Sequence, residues 1–529
     1  MSFTSYTFLF FLLCLFVLYY CIPKKAQWGL LLCAGYVFYY FADPVYFIFI
    51  LATTISSYFL ARAISAISIQ TKAYIAQHKG ELSKEEKKAY KDKKKKTRFA
   101  LLVICLVFNF GILAVLKYSN FAIANINGIL GWFKREPLSM LNLVLPLGIS
   151  FYTFQTMGYV IDVYREKYEA EKNPFKLALF VSFFPQLIQG PISRFDDLAD
   201  SLFAKHPFHF RNITFGLERI LWGYFKKLVI ADRILVAVRE LIGNTDTYTG
   251  FYVFLGALFY ACELYADFTG GIDITIGIAQ VLGIKVKENF IRPFFSKGIK
   301  EYWRRWHISL GSWFTEYLFY PVSVCKPMLK ISKWGRKHLG EQIGKRLPVY
   351  AASIAVWLVT GIWHGAAWNF VAWGLGNCLV IMVSQELEPL YAKFHAKFHV
   401  GHTWYYKAFQ IIRTFLIMSS LRMFDCYRDV PMTFKMFGSM FTTWNLPEAL
   451  TSGIWNLGLT VSDYVILLIG VAILFTVSMI GRGGSVREKI AAKSVFLEVA
   501  AFAALFVAVI LFGAYGIGYD ESQFIYNQF

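Results

Sequence analysis

The chain has 529 residues, of which 57% are apolar, 19% aromatic and 17% charged. A soluble globular protein carries roughly 25% charged residues, and one of this length could not cover so much apolar surface, so the composition describes an all-α polytopic membrane protein and excludes a disordered, fibrous or disulfide-framework chain. The formal net charge of +20 would suggest nucleic acid in a soluble protein, but here the basic residues cluster between apolar runs, as they do in cytoplasmic loops of membrane proteins, so no nucleic-acid partner follows.

In chain order, Met1 to Pro23 carries no charge, lacks a basic leader and an A-x-A cleavage site, and runs directly into Lys24 and Lys25. It reads as a retained first transmembrane helix rather than a signal peptide. Further uncharged stretches cover 26–42, 44–61, 99–116, 137–161 and 177–193, against the 20 or so apolar residues a spanning helix needs. Lys24 and Lys25 place the end of the first helix in the cytoplasm and the N-terminus outside. Two passes later, residues 72–98 hold ten Lys and one Arg against four acids, which again falls on the cytoplasmic side. This block has helical composition and is expected to be a solvated cytoplasmic hairpin or loop. Docking of an acidic partner or anionic lipid is the second reading.

Beyond residue 190 the apolar stretches near 214–231 and 249–283 carry Glu218, Arg219, Lys226, Lys227, Glu263, Asp267 and Asp273. Residues 285–346 mix aromatic and basic side chains. Leu347 to Gln385 then runs 39 residues without Asp, Glu, Lys or Arg. A single helix of that length would be about 58 Å against a hydrocarbon core of about 30 Å, so the run must break, with Gly361, Gly365, Gly374 and Gly376 as candidates. Further spans fall near 407–424, 464–481 and 499–518. The expected total is eleven to thirteen spanning or re-entrant helices, in a single membrane domain over 1–529: N-terminal helices to 71, the basic loop 72–98, and a membrane core over 99–529. No internal repeat relates the halves, which argues against an inverted-repeat transporter.

The eight cysteines form no C-x-x-C pair and mostly stand in apolar surroundings, where Cys acts as a small hydrophobe. His395, His399 and His402 form H-x3-H-x2-H, but no nearby carboxylate or Cys completes a metal site, and an exposed interfacial helix accounts for them better. His364, in GIWHGAAW, and His307, in EYWRRWHISLGSW, differ. An ionisable group inside a membrane segment is costly and is a functional candidate by default. The bland readings are a backbone-bonded structural His364 and an interfacial His307 beside Trp303 and Trp306, with Arg304 and Arg305 as interfacial anchors. Two membrane histidines without a ligand cluster suit hydroxyl attack on a thioester, since histidine is poised near pH 7 as a base and a buried site keeps the thioester from water. Glu263 and Asp267, four residues apart, share a helix face. Gly270 and Gly271 are expected to interrupt that helix, and the acids to pair with Arg304 or Arg305.

RPFFSKGIKEYWRRWHISLGSWFTEYLFYPV at 292–322 and GIWHGAAWNFVAWG at 361–374 resemble the two signatures of the membrane-bound O-acyltransferase family. LPLGISFYTFQTMGYVIDVYR, FFPQLIQGPISR, FKKLVIADR and the C-terminal FGAYGIGYDESQFIYNQF resemble further blocks of its alginate O-acetylase branch. DFTGGID replaces a more usual DFSGYSD-type stretch but keeps Asp267 and Asp273. The resemblance implies a ring of helices around a thin centre, with a funnel where the histidines meet. On this analogy His364 is the principal catalytic residue and His307 its partner. Trp303, Arg304, Arg305, Trp306, Trp363, Asp267 and Asp273 are the substrate-binding candidates. Phe524, Tyr526 and Phe529 match an F-x-Y-x-x-F motif whose Tyr relays the acyl group, although aromatic belt residues would look the same.

The implied activity is a plasma- or inner-membrane O-acetyltransferase for an extracellular or cell-envelope polysaccharide. It would use acetyl-CoA or another acyl thioester as donor substrate, no bound cofactor or metal, and a separate esterase-like extracytoplasmic partner that meets the glycan. The alternatives are a teichoic acid D-alanyl transferase and, from another class, a transporter or flippase.

Overall fold

The computed structural model describes residues 3–42 and 44–515, and within them every regular element is helical. The relay candidate Tyr526, with Phe524 and Phe529, lies outside the described residues. Among the described residues six helices are long and apolar enough to cross a membrane: Phe47–Gln77, Lys84–Trp132, Phe251–Val281, Glu341–His364, Val461–Gly483 and Val495–Phe512. Trp368–Glu386 with Glu388–Phe398, bent by 49°, makes a seventh if counted as one span. The chain is therefore an all-α multi-pass membrane protein. The larger count read from the sequence included segments that fold as shorter helices, among them Tyr6–Cys21, Gln27–Ala42 and Ile149–Tyr164, each of 16 residues.

Two compact units divide the chain, Met1–Asn212 with Ala279–Lys287 and Ile213–Ile278 with Glu288–Phe529. In the first unit the basic block is a helical hairpin. Phe47–Gln77 ends at His78, and Lys84–Trp132 starts on a capping box in which Ser83 and Glu86 satisfy each other's backbone N–H groups at 2.8 and 3.1 Å. At 49 residues the second helix is about 74 Å long, so it must project well past a hydrocarbon core of about 30 Å. Glu166 pins the base of the hairpin, taking the Lys72 ammonium at 2.7 Å and the Arg98 guanidinium.

The uncharged stretch 137–161 is only partly helical. Residues 135–146 form an extended strap whose Leu138 and Leu141 backbones are held by the side chains of Asn127 and Asn120 at 2.7–2.9 Å. Pro137 and Pro146 withhold helix-forming N–H groups there, and the helix begins only after Gly148 at φ 67°. The stretch 177–193 likewise breaks, at Phe183, into Pro174–Ser182 and Phe184–Leu187.

In the second unit, Phe251–Val281 runs unbroken for 31 residues, correcting the expected interruption at Gly270 and Gly271. These glycines serve contact instead. A Cβ on Gly270 would stand 2.9 Å from the Gly223 carbonyl oxygen, and one on Gly277 would stand 2.8 Å from that of Gly216. The backbones of Phe251–Val281 and Phe210–Tyr224 therefore touch without intervening side chains. The 39-residue uncharged run breaks at residues 365–367, between Glu341–His364 and Trp368–Glu386. Of the four candidate glycines only Gly365 lies at the break. Gly361 and Gly374 sit inside the two helices where these cross, each placed so that a Cβ would meet a carbonyl oxygen of the other helix at 2.4 Å.

Candidate functional site

The two signatures meet in the second unit around a wall of indoles. His307 stands between the short helices Ile299–Arg305 and Ile308–Phe314, with its backbone in the left-handed region at φ 48°. A non-glycine residue held there is uncommon and costs free energy that the surrounding structure must supply. Asn289 supplies much of the support. Its carbonyl accepts from the Ile308 N–H at 3.0 Å, and its side-chain oxygen accepts from the Ser309 N–H at 2.9 Å. That second bond fixes which end of the amide is oxygen. The amide nitrogen must then face His307 Nδ1, 3.2 Å away. Nδ1 accepts, so the proton of the neutral ring sits on Nε2.

His364 is the last residue of the Glu341–His364 helix, and the turn after it is close-packed: a Cβ on Gly365 would lie 2.1 Å from the Phe370 ring. Both histidines are buried, at 3% and 7% exposure. They share Trp363 as a neighbour. The Trp363 indole lies 5.9 Å from the His307 ring and 5.0 Å from the His364 ring, centroid to centroid. Phe268 closes on His307 from the Phe251–Val281 helix at 5.0 Å, and Trp373 closes on His364 at 4.5 Å.

Trp303 and Trp306 continue this wall, Trp303 packing edge-on against Trp357 and Trp373 at 4.8 and 5.8 Å. Behind them is a residue the sequence reading passed over. The Arg422 guanidinium lies 5.0 Å from the ring centroids of both Trp306 and Trp373 and 5.8 Å from that of Trp303, while Asp425 takes its Nη1 at 2.9 Å. One buried cation thus ties the first signature to the second by cation–π contact. An arginine inside the apolar stretch 407–424 was the available signal. Asn289, a polar residue just ahead of the first signature, offered less.

The remaining candidates lie elsewhere. Arg304 is exposed, and Arg305 pairs with Glu301 one turn back. The aspartates of the Phe251–Val281 helix, expected to pair with these arginines, take other cations among the described residues. Asp267 pairs with Lys227 at 2.6 Å, and Asp273 with Lys226 at 2.5 Å and Arg219 at 2.8 Å. The glycine contacts bring Phe210–Tyr224 and its π-helical continuation Phe225–Ala231 close enough for both buried lysines to reach across. Asp267 and Asp273 are thus held in buried ion pairs, where an unpartnered charge would be costly. His395 bonds the Tyr406 hydroxyl at 2.8 Å, and among the described residues no group of three His, Cys, Asp or Glu side chains could hold a metal ion.

The sequence profile of the membrane-bound O-acyltransferase family matches residues 170–426. The chain is 35% identical over 390 residues to the probable alginate O-acetylase AlgI of Azotobacter vinelandii, covering 73% of this chain and 69% of that protein. It is 33% identical over 320 residues to a peptidoglycan O-acetyltransferase of Helicobacter pylori, covering 56% and 57%. It is 29% identical over 266 residues to a teichoic acid D-alanyltransferase of Bacillus subtilis, covering 48% and 62%.

Proposed function

This chain belongs to the membrane-bound O-acyltransferase family, and we propose that within it the chain moves an acetyl group from a cytoplasmic thioester across the membrane for O-acetylation of an extracellular or cell-envelope polysaccharide. The donor is most simply acetyl-CoA. Acetyl rather than D-alanyl transfer is supported by the higher identity to the two O-acetylating relatives and the larger share of this chain that they match. A separate extracytoplasmic protein then delivers the group to the glycan, either directly or after a stay on Tyr526. The orientation that goes with this route has the N-terminus outside and the 72–98 hairpin in the cytoplasm, as the distribution of basic residues favours.

The observation that carries the reading is the shared indole of Trp363, against which both histidines pack. His364 acts as general base, taking the proton of the accepting hydroxyl as its oxygen attacks the thioester carbonyl. His307, with its proton on Nε2, donates to the oxyanion that forms on the carbonyl oxygen. Collapse of that intermediate breaks the carbon–sulfur bond, and the leaving thiolate takes its proton from His364. The buried, aromatic surroundings keep the thioester from hydrolysis.

The test uses purified full-length protein in nanodiscs, labelled acetyl-CoA and the extracytoplasmic partner with its glycan. His364→Ala should abolish thiol release and acetyl transfer while the protein stays folded. Retained transfer would overturn the assignment of the base, and label crossing without release of free CoA would point to a transporter. Tyr526→Phe keeps the ring and removes the hydroxyl: loss of glycan acetylation supports the relay, and undiminished acetylation means direct transfer.

A further inference from the structure

A cavity of about 360 Å³ opens in the second unit behind the signature wall. Its lining is almost wholly apolar, with Phe294 and Phe295 on one side, Ile412 and Phe415 on another, and Leu474 and Phe475 on a third. Ile412 and Phe475 are more than half exposed. On a membrane-spanning surface such residues face lipid, so the cavity is reached sideways from the bilayer. A slot of this composition has no use for a polar substrate, but it fits an acyl chain.

One end of the cavity is charged. Arg292 lines it, held by a backbone in the left-handed region at φ 49°. Its guanidinium lies 4.5 Å from the Phe295 ring centroid and makes a weak contact of 3.6 Å with the Met479 sulfur. Its Nε is buried with no hydrogen-bond partner among the described residues. Burial, and then the like charges of Arg305 and Arg482, push this guanidinium below its ordinary pKa. Arg292 is the arginine that lines the slot, Arg305 reaches its carbonyl oxygen at 3.4 Å, and Arg482 is close enough to repel its guanidinium. Arg305 has Glu301 as counter-ion, and the cluster keeps a net positive charge that an anion would relieve. Basic residues gathered beside an apolar cleft between spanning helices are the chemistry of an anionic lipid site.

We propose that this cavity binds one anionic phospholipid, with an acyl chain among Phe294, Phe415 and Leu474 and the phosphate at Arg292 and Arg482. Tyr265 and Phe294, which line the slot, also pack on Trp306 at 6.3 and 6.2 Å, so the lipid forms the outer support of the indole wall beside His307. This goes beyond the acyltransfer reading and does not depend on it.

The test is lipid retention by the full-length protein. Wild type is exchanged into nanodiscs of mixed phosphatidylglycerol and phosphatidylcholine, extracted in mild detergent and analysed by native mass spectrometry. Wild type should keep one phosphatidylglycerol in preference to phosphatidylcholine. Arg292→Gln with Arg482→Gln should weaken that retention roughly thirtyfold, since each basic residue at a membrane surface contributes about a factor of five. Leu474→Trp, which fills the slot and leaves the arginines in place, should lose the lipid while eluting as a folded monodisperse protein. Equal retention of both lipids, unchanged retention in both variants, or displacement of phosphatidylglycerol by excess acetyl-CoA would each overturn the proposal, the last by assigning the arginines to the donor's phosphates.

Discussion

Replacing His307 by glutamine and by alanine separates two roles that a single deletion would confuse. Asn289 is pinned by the Ser309 N–H at 2.9 Å and presents its amide nitrogen to His307 Nδ1 at 3.2 Å, which leaves the ring proton on Nε2. A group so arranged is a hydrogen-bond donor. Losing one donor to a developing oxyanion costs about 10²–10³ in kcat. His307→Ala should therefore fall by that amount, with a smaller change in KM. It should also lose roughly 1–3 kcal/mol of stability, because the buried Asn289 amide is left without its partner. Glutamine carries an N–H₂ at about the reach of Nε2 and has no titratable group, so His307→Gln should recover to within about tenfold of wild type if donation is the role. Both variants must hold the same left-handed backbone at φ 48°, so the backbone strain is common to the pair. The assay is acetyl-CoA-dependent thiol release at saturating donor, followed across pH. If His307→Gln is as inactive as His307→Ala and its pH profile loses a limb, the residue cycles a proton and the donor assignment is wrong.

Three further outcomes rest on the same packing and charge arrangement. Gly374→Ala places a Cβ 2.4 Å from the Trp357 carbonyl oxygen, so it should cost about 1–3 kcal/mol by overpacking and reduce activity by shifting Trp373 against His364; unchanged thermal stability would show that the helix crossing has slack. Hydrogen bonding from Lys72, ahead of the contributions of Ser68 and Arg98, lowers the Glu166 carboxyl from 4.5 to about 2. A depressed carboxyl contributes stability that is complete above its unfolded value and is lost as pH falls through the folded one, so wild type should lose more stability than Glu166→Gln between about pH 4.5 and 2; identical pH slopes in the two proteins would remove this clamp from the account. A cysteine introduced at Glu85 should resist an impermeant thiol reagent in intact cells and react after lysis, and labelling of intact cells would reverse the proposed orientation.

Several features were legible in one dimension because their causes are local. Composition settles the solvent: too many apolar residues for water to cover means a bilayer. The hairpin at 72–98 was readable because helix-forming composition acts over a few residues, as does the Ser83 and Glu86 capping box that the structure adds. That the run 347–385 must break followed from length alone, since 39 uncharged residues exceed what a membrane can hold as one helix; which of the four glycines marks the break did not. The histidines stood out because an ionisable side chain in an apolar run is expensive.

Other features were decided only when the helices packed. Gly270 and Gly271 read along the chain as a break, but the same lack of a side chain equally permits contact between backbones, and which applies depends on whether another helix arrives there. The Phe210–Tyr224 helix does arrive, and its continuation brings Lys226 and Lys227 to Asp273 and Asp267, so the acids paired with cations some 40 residues upstream rather than with Arg304 or Arg305. Asn289 and Arg422 could be assigned no role in sequence, because a side chain that orients a histidine or bridges three indoles is defined by distances across space. Burial costs set which residues need partners, and the chain records those costs; the choice of partner belongs to the tertiary packing, because it depends on which backbones can approach.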